Sequence, residues 1–427
     1  MKNIIQSFFS KENKKTTSKI SVNNLDDFKY LNEAKNIFIL FQKYDENCKI
    51  KLIGGCVRKL ISGDKIDDID IAVNLEPNKI KKILIKKNIK FIETGISHGT
   101  ITIISNNYKF EITSLRKDIE TDGRHAKVQF TNDWESDARR RDFTINAIYS
   151  DLDGNLYDPF NGKADLKLGI VKFIGDPEKR IQEDYLRILR YVRFYVNYSK
   201  IDHDDNLKKI IKQNINGVSK ISSERLLDEL KKLVLSPGFL KISKDKFCQE
   251  IINLIFPQLV NLKIFKDIDN SLKNIFEKKD FIFLISLMII DETDNSEYFI
   301  YKYKISNENK KRIRFLSNIY SKNLDKNIFK EKNLWKIFYY NGKDYLIDLI
   351  DFQLFQKKKL DKNIIQLKNF FSNKEIPKLE IKAKTLIERF NYKEGKELGD
   401  KLKEIEEFWI ENSFKISDKE LNKIVNN

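Results

Sequence analysis

Leu52-Ile53-Gly54-Gly55-Cys56-Val57-Arg58, followed shortly by Asp67-Asp68-Ile69-Asp70-Ile71-Ala72-Val73, decides how the rest of this chain is organised. The apolar run Ile50, Leu52 and Ile53 predicts a buried strand that ends at two glycines, where no side chain blocks the approach of a ligand to the backbone. A helix is expected to start there. Such a strand, turn and helix start leave backbone N–H groups pointing outward to bind phosphate oxygens at Gly54 and Gly55, and Arg58 adds a forked cation beside them. The second segment supplies the opposite charge. Residues i and i+2 of a strand share a face, so Asp68 and Asp70 stand side by side while Ile69, Ile71 and Val73 face the core. Two carboxylates at that distance repel each other. A hard, oxygen-liganded ion such as Mg²⁺ removes the repulsion, and it is also the ion a nucleoside triphosphate carries.

Working outward, Leu25 to Tyr44 has apolar residues at helical spacing (Phe28, Leu31, Ala34, Ile37, Phe38, Phe41), and Pro77 to Lys87 reads as a crossover helix with proline in its first turn. Three short strands follow, Phe91–Thr94, Thr100–Ser105 and Phe110–Ser114, which makes the head a small mixed sheet with helices. From Lys117 to Asp137 the pattern is polar, glycine-bearing and irregular, and it reads as a long functional loop. Arg139-Arg140-Arg141-Asp142-Phe143-Thr144-Ile145-Asn146-Ala147 is then expected as one short helix. There the forks of Arg140 and Arg141 suit triphosphate oxygens, and Asp142 can accept from ribose hydroxyls. Pro177 to Phe194 is expected as a further helix. Tyr185, Leu189, Val192 and Val196 would face a core, and Glu183, Arg187, Arg190 and Phe194 another side, with Asp184 and Arg187 neighbours at i and i+3. Beyond about Val196 the chain reads as helical throughout, with cationic runs such as Lys302-Tyr303-Lys304, Lys310-Lys311-Arg312-Ile313-Arg314 and Lys357-Lys358-Lys359.

Composition bounds the class. The 427 residues hold several domains with real cores, 41% are apolar, and no run of apolar residues is long enough for a membrane span. The first 24 residues, rich in Lys, Ser, Asn and Thr, lack an apolar core and read as a flexible extension, not a secretory signal. Three cysteines (Cys48, Cys56, Cys248) form no Cys-x-x-Cys and no paired framework, which fits reduced thiols in a cytoplasm. A net charge of +17 favours a polyanionic partner.

The glycine turn followed by Asp-x-Asp resembles the DNA polymerase β-like nucleotidyltransferases. The resemblance narrows to the class II tRNA nucleotidyltransferases, the CCA-adding enzymes, and their bacterial poly(A) polymerase relatives. It is carried by Leu52 to Arg58, Thr94-Gly95-Ile96-Ser97-His98-Gly99-Thr100, Glu111-Ile112-Thr113-Ser114-Leu115-Arg116, Asp122-Gly123-Arg124-His125, Arg140 to Ala147, Glu183 to Phe194, Ser223 to Leu230 and Leu398 to Trp409. One departure is visible, Lys59 where the family usually has Asp after Arg58.

The resemblance implies an α+β fold: a polymerase β-like head (25–165) after the 1–24 extension, a helical neck with a base selector (166–235), and a helical body and tail that holds tRNA (236–427). It implies Mg²⁺ as cofactor, CTP, ATP and the acceptor arm and 3′ end of tRNA as partners, no membrane, and addition of CMP, CMP and AMP to the tRNA 3′ end. Asp68 and Asp70 would be the metal pair, with Glu111 a third carboxylate, and Asn146 joins Arg140, Arg141 and Asp142 around the triphosphate and ribose. Asp184, Arg187 and Arg190 would read the base, and Asp122, Gly123, Arg124 and His125 lie in the flexible loop. Physics gives the selector content. A carboxylate accepts from an exocyclic amine and a guanidinium donates to an unprotonated ring nitrogen, which cytosine and adenine both offer; uracil and guanine reverse both contacts. A poly(A) polymerase, an enzyme adding only CC or only A, and a catalytically idle RNA-binding protein on the same scaffold remain as alternatives.

Overall fold

The computed structural model describes residues 19–20, 31–64, 66, 69–105, 108–122, 125–321, 326–358 and 361–426. The chain divides into two compact units, Met1–Ile221 and Ser222–Asn427.

The first unit follows from two alternating patterns. Its strands are β1 (Ile50–Ile53), β2 (Ile69–Val73), β3 (Phe91–Gly95), β4 (Thr100–Ser105), β5 (Tyr108–Ser114), β6 (Arg116–Asp122), β7 (His125–Phe130), β8 (Tyr149–Ser150) and β9 (Leu156–Tyr157). Seven of them form one sheet in the order β3-β4-β5-β2-β1-β8-β9, with β2 and β5 parallel and β1–β2 and β4–β5 antiparallel. On one face Leu52, Ile69, Ile71, Val73, Phe110 and Ile112 pack with α1 (Leu31–Tyr44), whose Ala34, Ile37, Phe38 and Phe41 are buried as their spacing requires. On the other, Ile53 and Ala72 join Leu115, Ala138, Ala147, Tyr149 and Ile174. Asp70 therefore shares the face of Ala72 and turns away from the larger core. α2 (Gly55–Ser62) follows β1 directly, and α3 (Pro77–Lys86) begins with its proline in the first turn.

The Lys117–Asp137 stretch differs from its expected irregular loop. It forms the antiparallel ribbon β6–β7, then α4 (Trp134–Arg139), whose Asp133 cap accepts from the amides of Glu135 at 3.1 Å and Ser136 at 3.2 Å. Pairing in the ribbon places Glu120 opposite Lys127 and Asp122 opposite His125, while Gly123 and Arg124 lie outside the described residues. A ribbon with charge on both faces gives no apolar alternation, which is the signal the sequence reading needed.

The second unit is all helix among its described residues. Phe281–Ile289 is apolar on every side and every one of its residues is buried, as a helix without a polar face must be. A smaller core of Leu386, Leu398, Ile405, Leu421 and Val425 closes the C-terminal helices. The basic runs are only partly available to a ligand: Arg312 pairs with Asp280 and Asp348, Arg314 meets Glu297 at 2.7 Å, and Tyr303 is buried.

Candidate active site

The glycine corner is where the charges converge. Gly54 sits at φ +70° and ψ −124°, a conformation a side chain disfavours, and a Cβ placed there would lie 3.6 Å from Asp70 Oδ2, 3.9 Å from Arg141 Nη1 and 3.9 Å from the Asn146 carbonyl. A carboxylate and a guanidinium thus border the corner, and the positive φ, not crowding, is what calls for glycine there. Across the parallel β2–β5 pairing Asp70 is in register with Glu111 and Ala72 with Thr113, so Glu111 stands beside Asp70 on the same face. Thr113 and Thr100 share a hydrogen bond of 3.1 Å between their hydroxyls, which continues that polar surface onto β4. Asp68 lies outside the described residues. Asp70 and Glu111 together offer hard carboxylate oxygens, a donor set that suits a divalent cation such as Mg²⁺.

The arginine segment is not one helix. α4 ends at Arg139, Arg140 to Asp142 turn, Phe143 is extended and bridges to Phe173, and Thr144–Asn146 makes one short 3₁₀ turn. The break has a local cause: the Asp142 carboxylate accepts from the Phe143 amide at 2.8 Å and from Asn146 Nδ2 at 2.9 Å, bonds that compete with a continuing helix. Asp142 also accepts from Arg190 Nε at 2.8 Å. Burial raises its pKa, but the Arg190 guanidinium and the Asn146 bond more than offset that and hold the carboxyl far below the ordinary range.

Arg140 and Arg141 share a carboxylate that the sequence reading passed over. Asp137, 1% exposed, accepts from Arg140 Nε at 2.9 Å, Arg141 Nη2 at 3.2 Å, the Tyr149 hydroxyl at 2.7 Å and the Arg116 amide at 3.3 Å. Burial pushes its pKa up, yet the two arginines outweigh burial and bring it down to about 2. The signal was available: an aspartate three and four residues before paired arginines is placed to meet both over one helical turn.

Arg58 is buried in a cation–aromatic stack. Its guanidinium lies 5.1 Å from the Phe194 ring and 4.6 Å from that of Tyr198, and it donates to Asn146 Oδ1. A Cβ on Gly55 would stand 3.9 Å from its Nη2, so the cation still borders the second glycine. Arg58, Asn146, Asp142 and Arg190 form one unbroken hydrogen-bonded chain from the glycine turn to the selector helix.

After α5 (Gly162–Leu168), the segment expected to carry the base selector is two helices, α6 (Pro177–Glu183) and α7 (Leu186–Tyr198), and not the continuous one expected. Asp184 sits in the break with extended backbone (φ −155°, ψ 103°), its Oδ1 accepting from the Leu186 amide at 3.2 Å, a local bond of the kind aspartate makes at helix starts. Leu189, Val192 and Val196 are buried as expected, and so is Phe194, which covers Arg58. Arg187 Nη1 donates to Glu183 Oε2 at 2.7 Å and to the Arg180 carbonyl at 2.6 Å. Arg180 in turn donates to the carbonyls of Arg140 and Arg141, tying α6 to the arginine turn. Beside them lies a cavity of about 340 Å³, bounded by Lys117, Asp118, Ile119, Arg140, Arg180 and Glu183, where the ribbon meets the selector.

Comparison with known proteins places this geometry. Residues 50–172 match the family described as Poly A polymerase head domain, and residues 275–425 match tRNA nucleotidyltransferase domain 2. The CCA-adding enzyme of Ligilactobacillus salivarius is 30% identical over 93% of this chain and 95% of its own length. The chain belongs to the CCA-adding tRNA nucleotidyltransferase family. The mitochondrial CCA tRNA nucleotidyltransferase 1 of Mus musculus is 39% identical over 65% of this chain, and the match spans 63% of that protein, less than two thirds of its length. In structure, the Bacillus stearothermophilus CCA-adding enzyme in complex with CTP superposes with a TM-score of 0.67 at 21% identity, covering 92% of this chain and 96% of that one, which establishes the family's fold here. No described helix is long and apolar enough to cross a membrane.

Proposed function

We propose that this chain adds C, C and A, from CTP and ATP, to the 3′ end of tRNA without a nucleic-acid template. The observation that carries the reading is the glycine corner, where Asp70 and Arg141 stand beside Gly54 and the Arg58–Asn146–Asp142–Arg190 chain ends on the helix that also carries Arg187.

The residues divide the work by charge. The Gly54 N–H already donates to the Ile148 carbonyl at 3.4 Å, so the Gly55 N–H with Arg58, Arg140 and Arg141 would hold triphosphate oxygens, and Asp142 and Asn146, bonded to each other, would exchange part of their bonds for the ribose. Asp68, Asp70 and Glu111 are the carboxylates that would hold Mg²⁺, which when bound supplies charge neutralisation at the α-phosphate and acidifies the attacking 3′-hydroxyl. The tRNA acceptor arm is held by its backbone along the basic second unit, so affinity falls steeply with salt; salt-independent binding would count against that contact.

Selection falls to Asp184 and Arg187, which accept from the N4 or N6 amine and donate to N3 of cytosine or N1 of adenine. Uracil or guanine would leave both groups unpaired, at about 1–3 kcal/mol each. Because Arg187 Nη1 is committed to Glu183 and the Arg180 carbonyl, an incoming base competes with these bonds or uses the other guanidinium donors. The segment Lys117–Val128, whose sequence includes Asp122, Gly123, Arg124 and His125, is the element we assign to repositioning the selector between C and A. Shortening it should stop the product at CC, while normal completion to CCA would remove it from this role.

One assay tests the whole reading. End-labelled tRNA lacking its last three nucleotides, given CTP alone, ATP alone or both, should gain CC, nothing and CCA. Repeated A addition from ATP alone would mark a poly(A) polymerase, and no addition under any condition an idle RNA-binding protein.

A further inference from the structure

We propose that Asp137 is a positioning residue for triphosphate binding, dividing the forks of Arg140 and Arg141 so that part of each faces the ligand. The inference rests on the nucleotidyl-transfer reading and deepens its triphosphate subsite.

An arginine is a long, flexible cation, and a pair of adjacent ones would repel each other and splay into solvent without a shared counter-charge. Asp137 supplies it from below. One carboxylate oxygen, Oδ1, takes Arg140 through Nε at 2.9 Å and Nη2 at 2.8 Å. The other, Oδ2, takes Arg141 Nη2 at 3.2 Å. That leaves Arg141 Nη1 as the nitrogen on the glycine corner, 3.9 Å from where a Gly54 Cβ would stand. The guanidinium plane is also fixed, lying 5.6 Å from the Tyr149 ring centre. Tyr149 in turn donates its hydroxyl to Asp137 Oδ2 at 2.7 Å, and the Arg116 amide at the start of β6 donates to Oδ1 at 3.3 Å. The carboxylate is therefore held by β6 and β8 while it holds the arginines. At 1% exposure it touches no ligand itself and acts only through Arg140 and Arg141.

The alternative is that Asp137 merely pins α4 to the sheet. The two roles separate by what the variant loses. In Asp137→Asn the shape is kept and the charge removed, so the arginines lose their aim while the apolar packing stays. Losing a charge-assisted hydrogen bond of about 1.5–3 kcal/mol predicts a KM for CTP and ATP raised roughly tenfold or more. The inhibition constant of inorganic tripolyphosphate should rise by the same factor, with inhibition by cytidine and the KM for tRNA unmoved. In the double variant, Arg141→Ala should add little to what Asp137→Asn has already cost. If Asp137→Asn lowers the melting temperature but leaves tripolyphosphate inhibition as in the parent chain, the role is structural and the proposal is overturned. Should that variant fail to fold by far-UV circular dichroism, Tyr149→Phe decides, since it keeps both charges and removes one bond that orients the carboxylate. A tripolyphosphate constant raised about threefold supports the proposal, and an unchanged one overturns it. A parent chain that incorporates neither CTP nor ATP would sink the nucleotidyl-transfer reading itself, whereas an active parent with an indifferent Asp137→Asn sinks only this assignment.

Discussion

Both units of this chain bury aspartates among cations, and they use them in opposite ways. In the second unit Asp348 and Asp351, 3% and 0% exposed, sit inside the helix Lys343–Lys357. Lys279 reaches them at 2.9 and 2.7 Å, Lys368 reaches Asp351 at 2.6 Å, and Arg312 joins Asp348 to Asp280. The partners come from different helices and close on each other, so the network clips the bundle together. In the first unit Asp137 is at the end of a short helix and Asp142 in the turn after it, and the Asp137 partners Arg140 and Arg141 are its near neighbours in sequence. There Arg141 turns one nitrogen to the glycine corner, beside Asp70. A buried carboxylate with partners on several helices holds a fold; one at a turn with adjacent arginines points cations at a space.

That contrast can be broken most directly at Asp70. Asp70→Ala, or Asp68→Ala, should lower nucleotide incorporation by roughly a thousandfold or more if these carboxylates hold the metal as proposed, since their loss would forfeit several kcal/mol of transition-state stabilisation. tRNA affinity and thermal stability should stay near those of the parent. Substantial turnover in either variant would remove the acidic pair from catalysis.

Asp351→Ala should do the reverse. Leaving the half-buried Lys368 without its carboxylate, and Lys279 with Asp348 alone, costs about 1.5–3 kcal/mol in unfolding free energy. Denaturant unfolding of the full chain measures this, and a loss under about 1 kcal/mol would show that the cluster is not a clip.

Acid sharpens the comparison inside the first unit. The folded pKa of Asp137 is lowered from 3.8 to about 2, so its contribution is present above pH 4 and is lost as pH falls through about 2. The shift corresponds to roughly 2 kcal/mol. Stability of the parent should therefore fall between pH 4 and 2 more steeply than that of Asp137→Asn, and parallel curves would mean that the carboxylate gains nothing from its arginines.

The sheet and the glycine corner were legible because β1, β2, β4 and β5 carry an apolar period of two and Gly54–Gly55 interrupt it where a strand must end. The ribbon β6–β7 was not, since Lys117 to Lys127 carries charge in place of that period. The breaks at Asp142 and Asp184 escaped for a different reason: both aspartates bond the backbone just ahead of them, a choice set by one side chain that a helical spacing averages away. Asp137 was legible only in part: its spacing to Arg140 and Arg141 lies in the sequence, but Tyr149 and Arg116 reach it only through the fold. The family resemblance gave Arg58, Asp142 and Arg190 separate roles, and the structure joins them, through Asn146, into one hydrogen-bonded chain.

The smallest effect expected is at Arg187, and it separates selection from binding. Its guanidinium bonds Glu183 and the Arg180 carbonyl, so Arg187→Ala removes a donor toward the base and loosens the link between α6 and α7. If the first role matters, discrimination against UTP and GTP should relax by about 1–3 kcal/mol, roughly tenfold to a hundredfold in relative kcat/KM. It should not vanish. Asp184 would still face the O4 of uracil or the O6 of guanine with a carboxylate, and two acceptors cannot bond each other. Arg187→Lys keeps the charge but lacks the planar fork, and should relax selection nearly as far. If instead only the link between the helices matters, both variants would lower CTP and ATP incorporation together and leave the ratios over UTP and GTP where they were, which would take Arg187 out of the selector and leave it as a strut.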